Sequence, residues 1–447
     1  DFSSYDVGIT IPENFSMAAG TNPIKSEKNY DKEKTYFFKT AMLKDFACCA
    51  SDELIEIDDE FVTSKLPPVK IKLLLQKSHL DKKNRFLYAI KNGLKYYGEW
   101  ISGFPYGSIT LIDLPRSFNE DNMFYPGLIC LRSNLYQFSN DYSCEEDILH
   151  SLGRQYFTSS ISVNSIEEPW IDDGIVTYLT GKILQKCYGD GKGVFRIVDG
   201  IPLSGVPVIT VHDYPIVAFM GSAFKPYFAA LKSGYLEDPV TDPIYKPGWS
   251  YQNVQTFKIG SSYKPALMLE TISNYFGSNI VFYTLRSYYN RYRYSQTSTA
   301  EFITCLEKSM GQKSGWFLDQ IFYGAEKTDN AVVSIENHEF KEGKYLVEII
   351  FSRKGAVKIP VDIKVYLENG KEINDSWDAN ERWIKKSYIS DYPATSALID
   401  PQGKITLDVN TNNNSLTVEG NYKPVLKWAA QWLFWMQTFL QTLCSVC

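Results

Sequence analysis

The sequence of 447 residues contains few of the side chains that most often form disulfide or metal sites. It has eight cysteines and four histidines, and cysteines spread this thinly argue against a disulfide-built scaffold while leaving their redox state open. Cys444 and Cys447 form a single C-x-x-C at the end of the chain, and no second pair accompanies it. A G-x-S-x-G nucleophile motif, internal repeats and low-complexity tracts are also missing. These absences argue against a zinc finger, an α/β-hydrolase and a repeat array.

A large positive charge is missing too. Forty-six basic and 52 acidic residues give a net charge of −6, so no overall field attracts nucleic acid, and we expect no nucleic-acid partner. A hydrophobic content of 44% and a charged content of 22% are ordinary for folded protein, and this length predicts two to four domains. The opening residues "DFSSYDVGITIP" have neither an initiator methionine nor the layout of a signal peptide, so we expect a processed or partial chain.

Periodicity divides the chain into four regions. Short runs of alternating apolar and polar residues predict strands over 1–68, and helical spacing of apolar residues dominates 69–328, with an embedded strand at 105–115. Strand patterns separated by turn sequences return over 329–420, and 421–447 forms a tail. In the first predicted helix the apolar positions are Leu80, Phe86, Ile90, Leu94 and Tyr97. The pattern predicts a multidomain α+β protein.

The segment "ILHSLGRQYF" (148–157) concentrates polar side chains on an otherwise apolar helix. Ser143 and Glu146 have the S-x-x-E spacing of a capping box, so the sequence predicts that the helix begins there. His150 and Arg154 then lie one turn apart, and Asp173 follows Arg154 by 19 residues in a second amphipathic stretch. The predicted core positions are Ile148, Leu149, Leu152 and Tyr156.

These segments resemble the zinc aminopeptidases of the membrane alanyl aminopeptidase (gluzincin) type. That family has H-E-x-x-H-Q-W-F followed, at a separation that this chain matches, by the glutamate of W-L-N-E-G-F-A-x-Y, and here "HSLGRQYF" and "WIDDGIVTYL" occupy both places. The segment "YPGLI" (125–129) matches the end of the family's G-A-M-E-N-P-G-L-I, and "SYKPALMLE" is similar to a downstream family segment. The resemblance covers roughly residues 5–415 and implies a partial β-saddle domain, a thermolysin-like mainly helical domain, a C-terminal β-sandwich and a short helical tail.

The metal ligands implied by the resemblance are altered. In the family two histidines and a glutamate bind zinc and leave a position for water. Here the three positions are His150, Arg154 and Asp173. A guanidinium has no free lone pair and stays protonated, so Arg154 is not a ligand, and aspartate is one methylene shorter than glutamate. We expect no metal at this site and an ion pair between Arg154 and Asp173 rather than two unrelated surface charges.

Other roles implied by the resemblance are altered as well. Ser151 stands in place of the general base, and a hydroxyl does not hold a proton near neutral pH as a carboxylate does. Met123 keeps its family place, but Phe124 replaces the glutamate that binds a peptide's free amine. The oxyanion-stabilising tyrosine aligns with Ser262, although Tyr263 lies one residue away and a shift of one position is an alternative.

The resemblance and its departures together predict a catalytically silent aminopeptidase homologue that binds a protein or peptide or acts as a structural subunit. Under this interpretation it needs no cofactor, and His150 is a hydrogen-bonded core histidine. The alternative is an active zinc peptidase that uses His150, Asp173 and an unforeseen third ligand. A further alternative is a piece of a larger membrane assembly, since the family's first β-domain is longer than the 68 residues found here.

Three further features of the sequence bear on function. "GDGKGVF" (189–195) resembles a nucleotide-binding loop, but it follows a helix and we predict a helix-ending turn. "SYYNRYRYSQ" (287–296) interleaves aromatic and basic residues and is predicted to be a helix end rather than a nucleic-acid surface. The remaining histidines lack ligand-spaced neighbours in the sequence, and they are His79, His212 and His338.

The tail segment "WAAQWLFWMQTFLQTLCSVC" (428–447) carries no charge over 20 residues, the length of a membrane span. Its polar residues fall on one side of a helix, which favours a helix that lies in a membrane interface or docks on a partner, including a membrane protein. A helix packed in this chain's own core is the ordinary alternative, and a span is the least favoured. We therefore expect a membrane-associated or extracytoplasmic location.

Overall fold

The computed structural model describes residues 2–115, 122–132, 142–189, 196–198, 201–202, 227–239, 242–311, 315–420 and 422–446. The chain divides into two compact units. The first comprises Asp1–Val206, Phe224–Leu231 and Tyr245–Lys313, and the second comprises Pro207–Ala223, Lys232–Ile244 and Ser314–Cys447.

The first unit begins with strands, as the alternation over 1–68 predicts. They are β1 Ser3–Pro12, β2 Ser16–Ala19, β3 Lys25–Lys28, β4 Glu33–Leu43, β5 Cys48–Ser51 and β6 Leu54–Phe61. β4 lies between β1 and β3 in one antiparallel sheet, and β2 pairs with β5. Ile11, Met17 and Phe38 are buried together between these strands, so the apolar alternation builds a small core.

A five-stranded sheet follows and lies beside the helix that contains "ILHSLGRQYF" (148–157). Its further strands are β7 Val69–Gln76, β8 Ser108–Asp113, β9 Met123–Tyr125 and β10 Leu128–Leu131. The order is β6-β7-β8-β10-β9, with β7, β8 and β10 parallel to one another. The embedded strand predicted at 105–115 is confirmed as β8, but β7 was missed. The predicted domain boundary at residue 68 lies between two strands, β6 and β7, that pair with each other.

Helices dominate the described residues between Lys83 and Ile321. They are α1 Lys83–Trp100, α2 Ser143–Phe157, α3 Pro169–Tyr188, α4 Tyr227–Tyr235, α5 Val254–Lys258, α6 Lys264–Phe276, α7 Ser278–Tyr292, α8 Thr299–Met310 and α9 Gly315–Ile321. Two short strands, β11 Arg196–Val198 and β12 Ile201–Pro202, pair with each other. A π-helical turn, Ile259–Tyr263, joins α5 to α6. The predicted apolar position Leu80 lies in a 3-10 turn, Lys77–Lys82, before α1 and not in the helix.

α2 packs against both α1 and α3. Its four predicted core residues are fully buried. Gly153 makes this packing possible, because a Cβ there would lie 2.4 Å from the Tyr97 hydroxyl of α1 and 2.6 Å from Val176 of α3. The predicted start of this helix is confirmed, although Ser143 is not its N-cap. Ser143 is the first helical residue, and the N-cap position is Tyr142, which provides no side-chain cap.

The second unit contains α9, two antiparallel sheets and the tail helix. Its strands and tail helix are β13 Asn330–Phe340, β14 Lys344–Arg353, β15 Val361–Leu367, β16 Glu372–Trp377, β17 Trp383–Ser390, β18 Ala394–Ile399, β19 Ser415–Thr417 and α10 Tyr422–Val446. The sheets have the orders β13-β14-β17 and β16-β15-β18-β19. The Asn337 side chain on β13 donates to and accepts from the backbone of Ala394 on β18, at 3.0 and 2.8 Å. The predicted multidomain α+β class is confirmed, and the likeness of each region to a named domain type stays a prediction.

Membrane-spanning potential is low in the helices that the structure describes, since none combines the length and the apolarity that a bilayer crossing requires.

Candidate functional site

Arg154 on α2 contacts Asp173 on the neighbouring helix α3. The Nη2 atom of Arg154 donates to Oδ1 of Asp173 in a direct ion pair, which confirms the predicted contact. Each side chain is 23% exposed, so the pair is neither fully solvated nor fully buried. A partly desolvated pair is screened less by water and salt than a surface pair.

Phe124 covers the other side of the guanidinium. The Cζ atom of Arg154 lies 4.7 Å from the centre of the Phe124 ring, a cation–π distance. β9, which carries Phe124, is held against α2 because the Gly127 amide donates to Oε1 of Gln155 at 2.9 Å. Gly127 needs to be glycine, since its φ is +71° and a Cβ would lie 1.9 Å from the carbonyl oxygen of Gly20.

His150 lies beside the ion pair. Its Nε2 atom is 3.8 Å from Oδ1 of Asp173 and 3.5 Å from the hydroxyl of Thr177. Burial, together with the neighbouring Arg154 guanidinium, lowers the pKa of His150 to about 4. The imidazole is therefore neutral near pH 7, and Asp173 is left to balance one cation, Arg154.

The two candidates for the oxyanion position occupy different surroundings. The Ser262 hydroxyl lies 2.8 Å from the Thr177 hydroxyl and is connected through it to His150. The ring of Tyr263 lies against Lys258, whose Nζ atom is 5.3 Å from the ring centre. Both residues end the π-helical turn, in which the extra residue per turn rotates side chains relative to an α-helix. Contact with the His150 network is thus made by Ser262.

A pocket of about 170 Å³ opens over these groups. It is lined by Asn122, Phe124, Asp147, His150, Ser151 and Arg154. Ser151 is buried in its wall, and Met123 is the half-buried neighbour of Phe124 on β9. The pocket is smaller than the roughly 300 to 1,000 Å³ of most small-molecule sites. It has room for about one side chain.

Several site residues were missed from the sequence. Thr177 and Asp147 were available to pattern reasoning, because Thr177 is four residues after Asp173 and Asp147 is three before His150, on the same helix faces. Asn122 comes from a segment before β9, and no local signal places it at the pocket.

Asp172, next to Asp173, was also missed. It is 6% exposed, and burial raises its pKa to about 6, although the Ser165 hydroxyl donates to its Oδ2 atom. Its carboxyl is thus partly protonated at mildly acidic pH.

Two histidines lie apart from the pocket. His79 is buried, with Nδ1 2.6 Å from Oδ2 of Asp113. His338 does have acidic neighbours, contrary to the prediction: Nε2 lies 3.3 Å from Oε2 of Glu336 and 3.7 Å from Oε2 of Glu348.

Strand pairing explains the cluster around His338, because Glu336 on β13 lies opposite Glu348 on β14. Within the described ranges, this is the one group of three His, Cys, Asp or Glu side chains close enough to share a metal. It is largely exposed. The ammonium of Lys385 lies 2.6 Å from the Glu348 carboxylate and already balances part of its charge.

The two other sequence features have structural explanations. α3 ends at Tyr188, and Gly189 follows with a φ of +79°, as a helix-ending glycine does. Residues 190–195, which complete "GDGKGVF", lie outside the described residues, as does His212. "SYYNRYRYSQ" includes the end of α7 at Tyr292, which confirms the predicted helix end.

Comparison with known proteins matches this architecture to solved structures. The chain matches 138 chains of solved structures, among them Legionella pneumophila aminopeptidase A in complex with aspartic acid, with a TM-score of 0.65 and 9% sequence identity. The chain has a peptidase-like fold. The match covers 94% of this chain and 45% of the Legionella protein, so the chain spans less than half of that protein's length. No family model and no curated protein matches the chain.

Proposed function

We propose that this chain is a catalytically silent relative of the zinc aminopeptidases and serves as a protein-binding or structural subunit. The observation that carries the proposal is the contact among Phe124, Arg154 and Asp173. The resemblance assigns these positions to the amine anchor and to two zinc ligands. One cluster therefore contains three of the substitutions by which this chain departs from the family pattern.

Charge balance supports the proposal. In the family's arrangement a divalent cation neutralises the acidic ligand, and here the Arg154 guanidinium supplies a positive charge directly to Asp173. A zinc ion at the same place would bring a second cation close to a guanidinium that cannot lose its proton. The residues present therefore do not fit a zinc site, and we derive no hydrolytic step through a metal.

The positions that the resemblance assigns to peptide recognition and to the general base also argue against catalysis. A free amine needs an anionic or polar acceptor, but Phe124 offers a ring that the Arg154 guanidinium already covers. Ser151 lines the pocket in place of a carboxylate base, and a serine hydroxyl is a poor proton acceptor near neutral pH. The small pocket suits at most one side chain of a partner, so binding is assigned to the protein surface rather than to a substrate groove.

An active zinc peptidase remains the second candidate because of one distance. Nε2 of His150 and Oδ1 of Asp173 lie 3.8 Å apart, close to the separation of about 3.4 Å expected for two ligands of a tetrahedral zinc. That function requires Arg154 to swing away and a third ligand to enter.

Metal content and hydrolysis distinguish the two candidates. We expect the purified full chain, after incubation with zinc and removal of excess metal, to contain far less than one equivalent, and to release no product from aminoacyl reporter substrates. Near-stoichiometric zinc that is lost in a His150→Ala variant, with chelator-sensitive hydrolysis, would establish the second candidate and refute the proposal. The matched control is His338→Ala, which removes a histidine from the exposed cluster in the second unit.

A further inference from the structure

The tail helix α10 exposes apolar side chains along the part of its length that the structure describes. The exposed fractions reach 67% at Leu426, 47% at Trp428, 70% at Leu433 and 53% at Leu440. This exposure contradicts the alternative that the helix packs into this chain's own core. Contiguous exposed apolar surface of this kind marks an interaction site.

From this helix we infer that the chain attaches to a lipid bilayer, with α10 lying in the membrane interface parallel to the surface. The inference goes beyond the proposed function and does not depend on whether the pocket is catalytic.

The apolar side chains occupy one broad face. At about 100° per residue, an arc of roughly 160° contains side chains that are all apolar. They are Trp428, Trp432, Val425, Met436, Ala429, Leu440, Leu433 and Leu426. The two tryptophans lie at one edge of this face, where an indole places its ring in the acyl region and its N–H at the headgroups.

The opposite face is polar and carries the positive charge. Gln431, Gln441 and Lys427 are centred there, and Phe434 is the exception. Lys427 is exposed. No aspartate or glutamate occurs after Glu419, so the charge complements anionic lipid headgroups.

Two other arrangements fit less well. A bilayer crossing would place the glutamines of the polar face in hydrocarbon, and α10 lacks the apolarity of a span. A coiled coil with a second copy would need a narrow seam of apolar residues at alternating spacings of three and four. The face here is wider than such a seam and includes tryptophans at its edge. A lipid surface accepts a broad face without requiring matched side chains.

Flotation of the full chain with vesicles tests the inference. The vesicles are phosphatidylcholine alone or phosphatidylcholine mixed with phosphatidylserine. We expect recovery with lipid in both cases and stronger recovery with phosphatidylserine. The test variant Trp432→Glu/Leu440→Glu places two charges within the apolar face, one on each side of its midline, and is expected to lose at least about tenfold in vesicle partitioning.

The matched control Gln431→Glu/Gln441→Glu adds the same charge to the polar face and is expected to keep binding to phosphatidylcholine vesicles. Circular dichroism and the melting temperature check that both variants fold. Equal loss in both variants, or no flotation of the parent chain, would overturn the inference. A parent chain that does not float but forms a dimer, which the apolar-face variant abolishes, would assign α10 to contact between copies and overturn it as well.

Discussion

Replacing Asp173 by alanine tests how much the Arg154–Asp173 pair contributes to folding. Breaking a fully buried pair costs about 3 to 5 kcal/mol, whereas an exposed pair is worth about 0 to 1 kcal/mol. Both side chains here are 23% exposed, which places the pair between these cases. The remaining guanidinium keeps its contact with Phe124 and regains some water through the pocket. We therefore expect Asp173→Ala to lower the free energy of unfolding by about 2 kcal/mol.

A double-mutant cycle separates the pair from the rest of the site. Arg154→Met keeps a long side chain against the Phe124 ring while removing the charge, and Arg154→Met/Asp173→Ala completes the cycle. Equilibrium urea unfolding of the four proteins gives the coupling energy, for which we expect about 1 to 2 kcal/mol. The coupling should weaken only slightly in high salt, because partly desolvated charges are poorly screened.

The exposed pair of Lys39 and Asp6 provides the control. Their atoms Nζ and Oδ2 are 3.9 Å apart, and the side chains are 71% and 78% exposed. Asp6→Ala should therefore change the free energy of unfolding by less than about 0.5 kcal/mol. If Asp173→Ala changes stability as little as Asp6→Ala, or if the coupling energy is zero within error, then the Arg154–Asp173 pair does not stabilise the fold and this prediction is refuted.

Further predictions concern the same region. Arg154→His combined with Ser151→Glu should produce at most weak zinc binding by calorimetry and no aminopeptidase turnover, because Phe124 still stands at the position that the proposed family likeness assigns to amine binding; turnover at a measurable rate would contradict this. Burial raises the pKa of Asp172 from 3.8 to about 6, so the stability linked to its protonation is complete below pH 3.8 and is lost as the pH rises through 6. The Asp172→Asn side chain does not titrate, so the free energy of unfolding of this variant should rise by up to roughly 3 kcal/mol relative to that of the parent as the pH increases from about 4 to about 7.5. If the two proteins instead show parallel curves of stability against pH, the pKa shift is contradicted. Gly153→Ala should lower the free energy of unfolding by about 1 to 3 kcal/mol, since the new methyl overlaps the α1 tyrosine hydroxyl, and an unchanged melting temperature would show that the helices move apart at little cost.

Local patterns were enough to predict much of the framework. The spacing of Ile148, Leu149, Leu152 and Tyr156 identifies the buried face of α2, because helical periodicity depends only on nearby residues. Alternation likewise predicts strands over 1–68, where β1 to β6 lie, and over β13–β15. The sequence alone shows that Arg154 is not a metal ligand and that Ser151 is a poor general base near neutral pH. β7 was missed although Val69, Ile71 and Leu73 alternate, since the apolar run that follows hides the period.

The tertiary structure decided which side chains meet. Phe124 and Arg154 lie on a strand and a helix that are distant in sequence, and the hydrogen bond from Gly127 to Gln155 brings those elements together. The link from His150 through Thr177 to Ser262 depends in the same way on how α2, α3 and the π-helical turn pack.

The neighbours of His338 arise from strand register, which no local pattern specifies. The exposure of α10 is likewise a property of the folded chain, because amphipathicity alone cannot distinguish a helix packed in a core from one left at the surface. The sequence by itself therefore determined most of the elements and the chemical character of Arg154 and Ser151. Packing between distant segments determined that Phe124, Arg154 and Asp173 form one cluster and that the described side chains of the tail are largely exposed.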